Sequence, residues 1–233
     1  MPSNIIDIGF DFRADSNGGD PDAKSPTLRR YHRMLWSKAL PCGKILLLDE
    51  KLRHNSEIGS FSFGSDSIIH TFSRWIGYQH IIRCIPQAEI DEFMHEGYTI
   101  GGMLIFPNYK INNKQTINGA RGCNAKIKDR FDLTLECIRR YYINEPSPLY
   151  EVFKRYDDFF NLFVDFKGYV DFFLLQDLVT PDYRDVLFLH PFNDFDTPPL
   201  PADVSEYQQY KTKSLSLIKK RNIRIKKWVE ENL

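Results

Sequence analysis

The segment NGARGCNAKIKDRFDLTLECIRRYY, residues 118–142, decides the fold because it predicts a polar turn followed by a long amphipathic helix. With about 100° of rotation per residue from Ile127, its apolar side chains cover an arc from about 240° round to about 80°. Arg130 falls at about 300°, on the apolar side. Because a guanidinium keeps its charge, a buried arginine needs a carboxylate, carbonyl oxygens or a bound anion. Two kinds of partner fit: an internal carboxylate such as Asp171 or Asp177, or a phosphate or carboxylate ligand.

The turn before this helix, INGARGCN (residues 117–124), places Asn118, Arg121 and Asn124 among two glycines at a predicted strand-to-helix junction. Free backbone N–H groups at the start of a helix favour an anion, and glycine lets a ligand approach the backbone closely. We therefore expect Asn118, Arg121 and Arg130 to bind an anionic ligand. An ordinary polar turn is the alternative.

Length and composition indicate a single globular domain over residues 1–233. Of the 233 residues, 42% are hydrophobic and 14% aromatic, which suffices for a large core. The formal net charge of zero argues against a protein dedicated to binding polyanions. The four cysteines lie far apart without a C-x-x-C pair, so we expect no metal site and a cytoplasmic location. The chain lacks both an apolar run of about 18 residues and the pattern of a signal peptide, so we expect no membrane partner.

The predicted order β-α-β-α-β-β-α-α-α-β-α indicates an α+β fold with a mixed or antiparallel sheet and a helical C-terminal half. Strands are predicted at 5–12, 43–50, within 56–82, 98–107, 114–122 and 185–192. Helices are predicted at 25–40, in the second half of 56–82, at 89–97, over the segment quoted above, at 148–163, 168–179 and about 204–232. Ser25 is the expected N-cap of the first helix, and Gly97 the end of the helix 89–97.

Candidate ligand-binding residues also lie near the N-terminus. Arg13 and Asp15 stand where the first predicted strand ends, a common place for functional side chains. The helix 25–40 carries His32, which titrates near neutral pH, Trp36, which can stack on a base or nicotinamide, and Lys38. The alternative is a basic amphipathic helix whose tryptophan packs in the core.

Glu136 is a candidate catalytic acid in the long helix. It falls near about 180°, on the arc expected to be solvated, where an ion pair with Arg140 four residues later is expected instead. A residue at the rim of such an arc can still line a cleft.

The last predicted helix is strongly basic, and two interpretations are open. It can contact nucleic acid or an acidic protein, in which case removal of residues 219–233 should abolish binding and leave the fold mostly intact. It can equally be a solvated face that packs through Leu215, Ile218, Ile225 and Val229. Its charged residues are Lys211, Lys213, Lys219, Lys220, Arg221, Arg224, Lys226 and Lys227, against Glu230 and Glu231.

Several blocks of the chain are similar to a bacterial family of uncharacterised proteins. These blocks are DPDAKSPTLRRYHRMLWSKALP (20–41), YTIGGMLIFP (98–107), INGARGCNAKIKDRFDLTLECIRRYY (117–142) and DFKGYVDFFLLQDLV (165–179). The resemblance covers most of the chain and implies no particular function.

A second resemblance rests on FRADS, residues 12–16, which is similar to the start of the cholera-toxin-like ADP-ribosyltransferases. It implies that Arg13 helps to hold NAD, and that a strand related to Ser-Thr-Ser follows, for which SFSFGSDS (60–67) is suitably placed. The Glu-x-Glu triplet that the resemblance also implies does not occur in this chain. Glu57 or Glu136 would therefore have to act alone.

These observations predict a cytoplasmic NAD- or nucleotide-handling enzyme, of the ADP-ribosyltransferase type. Arg13, Asn118, Arg121 and Arg130 would bind the diphosphate, and Trp36 would stack on a ring. Glu57 or Glu136 would stabilise the oxocarbenium-like centre that forms as nicotinamide leaves. The alternative is a protein that binds nucleic acid or an acidic partner through the last helix.

Overall fold

The structure, a computed structural model, describes residues 5–233. Residues 1–4, which the predicted domain includes, lie outside the described range. The strands are β1 (Arg53–Ser56), β2 (Gly59–Ser67) and β3 (Met103–Pro107). The helices are α1 (Pro21–Lys24), α2 (Pro26–Trp36), α3 (Gln79–Ile82), α4 (Gln87–Gly97), α5 (Ile117–Cys123), α6 (Phe131–Tyr142), α7 (Tyr150–Lys154), α8 (Asp157–Phe160), α9 (Phe166–Phe172) and α10 (Val204–Asn232).

The sheet is antiparallel and has the order β1-β2-β3. β1 and β2 form a hairpin in which Ser56 pairs with Gly59 across the turn. β2 continues beyond this hairpin and pairs with β3. The predicted α+β class is confirmed, with a small antiparallel sheet and a helical C-terminal half.

Helix α10 packs against the 3-10 segment Ile100–Gly102, which leads into the buried strand β3. Arg221 of α10 is fully buried and donates hydrogen bonds of 2.8 Å to the carbonyl oxygens of Gly101 and Met103. Beside it, Asn222 accepts a hydrogen bond of 2.6 Å from the Gly101 N–H. A Cβ atom at Gly101 would come within 2.6 Å of Ile218 O, so the close approach of α10 requires glycine at this position. Side chains of α10 therefore satisfy backbone groups that a further strand would satisfy.

Residues 219–233 consequently belong to the core. They include Arg221, Asn222, Ile225 and Val229, all of which are buried. These four buried side chains argue against the expectation that this segment can be removed with the fold mostly intact. Helix α10 covers the range predicted for the last helix.

Two details of the predicted helices agree with the structure. The Ser25 hydroxyl accepts a hydrogen bond of 3.1 Å from the Leu28 N–H, and thus caps α2. Helix α4 ends at Gly97.

Three of the predicted strands are wrong because their backbone groups bond to turns and helix ends. In 5–12, the chain turns and then enters a 3-10 helix at Phe12–Asp15. In 43–50, burial alternates as in a strand, but the Leu46 and Leu48 N–H groups bond to Lys38 O and Ser37 Oγ at the end of α2. In 185–192, only Val186 makes a strand-like pairing, with Val179.

The predicted strand 114–122 is also wrong, because most of it forms helix α5. The Thr116 hydroxyl accepts a hydrogen bond of 3.2 Å from the Gly119 N–H and caps this helix. The segment INGARG is therefore helical itself, and it is not the turn that precedes a helix.

Candidate functional site

Arg130 is buried, as predicted, but its partner is a different residue. It is the N-cap residue of α6 and is 1% exposed. Its guanidinium forms a two-pronged ion pair with Asp132 and donates a hydrogen bond of 2.6 Å to Pro199 O. The predicted partners Asp171 and Asp177 bond instead to Lys167 and Arg224, so those pairings are wrong.

The other two arginines expected in an anion site are also matched by carboxylates of the chain. Arg121 is fully buried and pairs with Asp66 and Asp129. Arg13 pairs with Asp11 and lies over the Tyr98 ring, 5.3 Å from its centroid. Arg13, Arg121 and Arg130 share no partner, so the structure gives each a separate internal role.

Asp15, Glu57 and Glu136 do not meet in one place either. Asp15 accepts hydrogen bonds of 2.5 Å from Ser25 Oγ and 3.1 Å from the Thr27 N–H, which holds the start of α2. Glu136 is buried, in contrast to the predicted solvated position, because it pairs with Arg139 and Arg140 at 2.8 Å. Glu57 is exposed in the turn of the β1–β2 hairpin.

Lys38 and Trp36 join α2 to the C-terminal helices. The Lys38 ammonium donates a hydrogen bond of 2.6 Å to Phe172 O. It also lies 5.0, 4.6 and 4.5 Å from the ring centroids of Trp36, Phe172 and Trp228. Burial and the nearby Arg221 charge lower the pKa of Lys38 to about 7. The Trp36 ring is fully buried, so it is a core residue and leaves no face for a ligand.

One of the ligand candidates, Asn118, lines a polar cavity that we call the Asp22 cavity. It has a volume of about 570 Å³ and lies between α1, the hairpin and α5. Pockets of roughly 300–1,000 Å³ are typical for small-molecule ligands. The polar residues of its wall include Asp20, Asp22, Arg29, Ser65, Asn108 and Asn118.

Two oxygen atoms of this cavity have an unused capacity for hydrogen bonds. Asp22 Oδ1 and Asn118 Oδ1 are buried, and no donor among residues 5–233 reaches either of them. Most buried polar atoms in proteins have a partner, so these two call for a ligand or ordered water. They lie on different elements of the cavity wall, since Asp22 belongs to α1 and Asn118 to α5.

The carboxyl groups at this site have unusual acidities. Burial, together with the nearby Asp66 and Asp20 carboxyl groups, raises the pKa of Asp22 to about 7, although Ser65 and Arg121 favour its ionised form. Burial also raises the pKa of Asp66 to about 6, although Arg121 favours its ionised form. At neutral pH, Asp22 is thus close to half protonated while Asp66 is mainly ionised.

His32 contacts Ser65, a residue of the cavity wall. Trp36 Nε1 donates a hydrogen bond of 3.1 Å to His32 Nδ1, and His32 Nε2 lies 2.9 Å from Ser65 Oγ. Because an indole N–H only donates, the imidazole proton sits on Nε2, and Ser65 accepts it. Burial lowers the pKa of His32 to about 3, so the ring is neutral. His32 therefore cannot take a proton from Ser65.

Sequence reasoning missed Asp22, Ser65 and Asp66. They occur in DPDAK and GSDS, which have the composition of ordinary turns, and nothing in their spacing marks them as neighbours. Among the residues that the structure describes, no group of three or more His, Cys, Asp or Glu side chains is arranged to hold a metal ion. Within the same range, no helix is both long enough and apolar enough to cross a membrane.

Comparison with known proteins identifies the family. A family model described as a family of unknown function (DUF6994) matches residues 6–225, so the chain belongs to this family. This agrees with the resemblance to an uncharacterised family, whereas the resemblance to ADP-ribosyltransferases receives no support. No curated protein and no solved structure matches the chain.

Proposed function

We propose that this member of the DUF6994 family is an enzyme that acts on a sugar phosphate or nucleotide in the Asp22 cavity, with Asp22 as its proton donor. The observation that carries the proposal is the half-buried Asp22 side chain, which lines a cavity of ligand size and whose Oδ1 atom is buried without a partner among residues 5–233. Ionisable groups with a shifted pKa in a cleft are typical of catalytic sites. A pKa of about 7 suits an acid that works at neutral pH.

The two carboxyl groups suit cleavage of a glycosidic bond. The protonated form of Asp22 gives its proton to the leaving group as the bond to the anomeric carbon breaks. Asp66 is paired with Arg121 and lies outside the cavity wall, so its part is to raise the pKa of Asp22 and keep this proton donor protonated. Water or another acceptor then adds to the carbon, and its proton returns to Asp22. A pair of carboxyl groups with different acidities is the usual arrangement for this chemistry.

The rim of the cavity supports an anionic substituent on the substrate. Arg29 and Lys51 line the cavity and are both exposed. Neither side chain forms an ion pair within residues 5–233, and Arg29 donates one hydrogen bond of 3.0 Å to Ala23 O, so both positive charges are available to a phosphate group. Asn108 and Asn118 add amide groups that can bind sugar hydroxyls. NAD belongs to this class of molecule and remains a candidate substrate, with Arg29 and Lys51 in place of the arginines first expected to bind its diphosphate.

Binding and turnover test the proposal. Thermal shift with ribose 5-phosphate, NAD, ADP-ribose and nucleoside monophosphates should identify a stabilising ligand. Asn118→Ala should weaken its binding, whereas Asp196→Asn, on an exposed side chain outside the cavity, should not. For a ligand that is turned over, Asp22→Asn should lower kcat by about 100-fold or more. The proposal fails if none of these compounds binds, or if Asp22→Asn leaves turnover unchanged.

The basic helix α10 carries no comparable proposal. Lys219, Arg224 and Lys227 form ion pairs with Glu92, Asp177 and Glu231. Lys211 is buried and pairs with Glu89, and Arg221 is buried on carbonyl oxygens. Most of the charges expected to contact nucleic acid or an acidic partner are therefore matched within the chain.

A further inference from the structure

A second, smaller cavity lies close to the Asp22 cavity. We call it the Tyr98 cavity; its volume is about 220 Å³. It is formed by the segment that follows β2 and by the end of α4. The polar and aromatic side chains of its wall include Ser67, His70, Thr71, Arg74, Trp75 and Tyr98.

The two cavities have no wall residue in common, but each includes a serine from the same face of strand β2. Ser65 lines the Asp22 cavity and Ser67 lines the Tyr98 cavity. Residues two apart on a strand share a face and lie about 7 Å from each other. The Tyr98 hydroxyl is also within electrostatic reach of Asp22. Its pKa is raised first by burial and then by the negative charge of the Asp22 carboxyl. The two cavities are therefore near enough for one molecule of nucleotide length to reach both.

Aromatic rings form much of the wall of the Tyr98 cavity. The His70 ring stacks on Phe72 with a centroid distance of 4.7 Å, and Trp75 meets His70 edge-on at 5.3 Å. The Tyr98 ring also lines the cavity, and Arg13 lies over one of its two faces, 5.3 Å from the centroid. Flat aromatic surfaces bind planar rings by stacking, which is largely independent of the identity of the base.

Polar groups of the same wall suit the edge of a heterocycle. The Phe72 N–H donates a hydrogen bond of 2.9 Å to His70 Nδ1, which places the proton of the neutral ring on Nε2. The pKa of His70 is lowered by burial, so this ring is neutral at pH 7. Arg74 is exposed at the cavity, and within the described residues its guanidinium forms neither an ion pair nor a hydrogen bond. A wall with donors beside rings fits a nitrogen heterocycle better than a purely apolar ring.

We infer that the Tyr98 cavity binds the planar base of the substrate, which makes the substrate a nucleotide and excludes a simple sugar phosphate. The inference rests on the proposed function, because it places the sugar of the same molecule beside Asp22. The separation of about 7 Å between Ser65 and Ser67 suits a sugar and its attached base. Arg29 and Lys51 at the rim of the Asp22 cavity are then left for the phosphate groups.

Isothermal titration of the full chain with ribose 5-phosphate and with nucleoside 5′-monophosphates tests the inference. The nucleotides should bind at least about tenfold more tightly than ribose 5-phosphate, since stacking of a base contributes that much. Trp75→Ala and Arg74→Ala should remove this advantage and leave the affinity for ribose 5-phosphate unchanged. Arg83→Ala, which also removes an exposed arginine but lies outside the cavity, is the matched control.

Because Trp75 packs against Phe72, a thermal melt must first show that the Trp75→Ala protein is folded. If it is not folded, the variants Arg74→Ala and Trp75→Phe test the base subsite in its place. The inference is overturned if ribose 5-phosphate binds as tightly as the nucleotides, if no nucleotide binds, or if the variants weaken both ligands equally. Suppose that Trp75→Ala abolishes the preference for nucleotides, while Asp22→Asn leaves turnover unchanged. This result would refute the proton-transfer function of Asp22 and support the base subsite. Loss of turnover in Asp22→Asn without any preference for nucleotides would refute the subsite alone.

Discussion

Replacement of Asp22 by asparagine should stabilise the protein at neutral and alkaline pH. In the unfolded chain, this carboxyl has a pKa near 3.8, and in the folded protein burial raises the value to about 7. Between these values the folded state binds more protons than the unfolded state. The free energy of unfolding of the native protein therefore falls as the pH rises from about 4 to about 7. Asparagine has a similar shape, does not titrate and avoids this loss.

The structure sets the size of the effect. At about 1.36 kcal/mol per pKa unit, the difference between the two states corresponds to about 4 kcal/mol. This is an upper bound because one side of the carboxyl faces a cavity that water enters. We expect the gain of Asp22→Asn over the native protein to be close to zero at about pH 4 and to grow to about 2–4 kcal/mol at about pH 8.

Urea denaturation at several pH values measures this gain. Asp171→Asn provides a control of opposite sign. At Asp171, burial is outweighed by hydrogen bonds from Lys167, Tyr183 and Gln176, which together lower the pKa of Asp171. The stability that Asp171 contributes is thus present above about pH 4 and is lost as the pH falls, so its asparagine variant should be destabilised at neutral pH. A difference between native and Asp22→Asn proteins that does not change with pH would show that Asp22 is not buried as described.

Three further perturbations probe the buried charges. Arg130→Met leaves the fully buried Asp132 without its cation, so the free energy of unfolding measured in urea should fall by about 3–5 kcal/mol. The double variant with Asp132→Asn keeps an acceptor for the Leu189 N–H and should recover most of this loss. Arg221→Met leaves the carbonyl oxygens of Gly101 and Met103 without a donor, so it should lower the free energy of unfolding by at least about 3 kcal/mol. A smaller loss would contradict the role of Arg221 in holding α10 against these carbonyl groups. Deletion of residues 219–233 should abolish the cooperative unfolding transition followed by circular dichroism, whereas a native-like melt would show that α10 is dispensable.

Features that depend on local sequence could be predicted, and those that depend on distant partners could not. The cap of α2 at Ser25 and the end of α4 at Gly97 follow from neighbouring residues. The segment 43–50 shows the limit, because its alternating burial is correct while its backbone partners, Ser37 and Lys38, form no strand. Periodicity reports which side chains are buried and says nothing about where the backbone hydrogen bonds go.

The candidate site shows the same limit. Arg130 was correctly expected to be buried, although it precedes α6 and does not lie within it. Its actual partner, Asp132, is two residues away and could be overlooked because side chains at that spacing do not face each other on a helix. Asp22 and Asp66 are separated by many residues in the chain, and only the packing of α1 against β2 brings their charges together.

The position of Asp22 supports the proposed function, because the cap of α1 does not depend on its carboxyl group. The start of α1 is already secured by Asp20, whose side chain accepts a hydrogen bond of 3.2 Å from the Asp22 N–H. A loss of up to about 4 kcal/mol is a large fraction of the roughly 5–15 kcal/mol that stabilises a typical domain. Arg130 and Asp132 are also buried charges, but each matches the other, whereas the Asp22 cavity leaves one carboxyl oxygen without a donor. A costly group that is unmatched and faces a cavity has the properties of a residue that contacts a ligand.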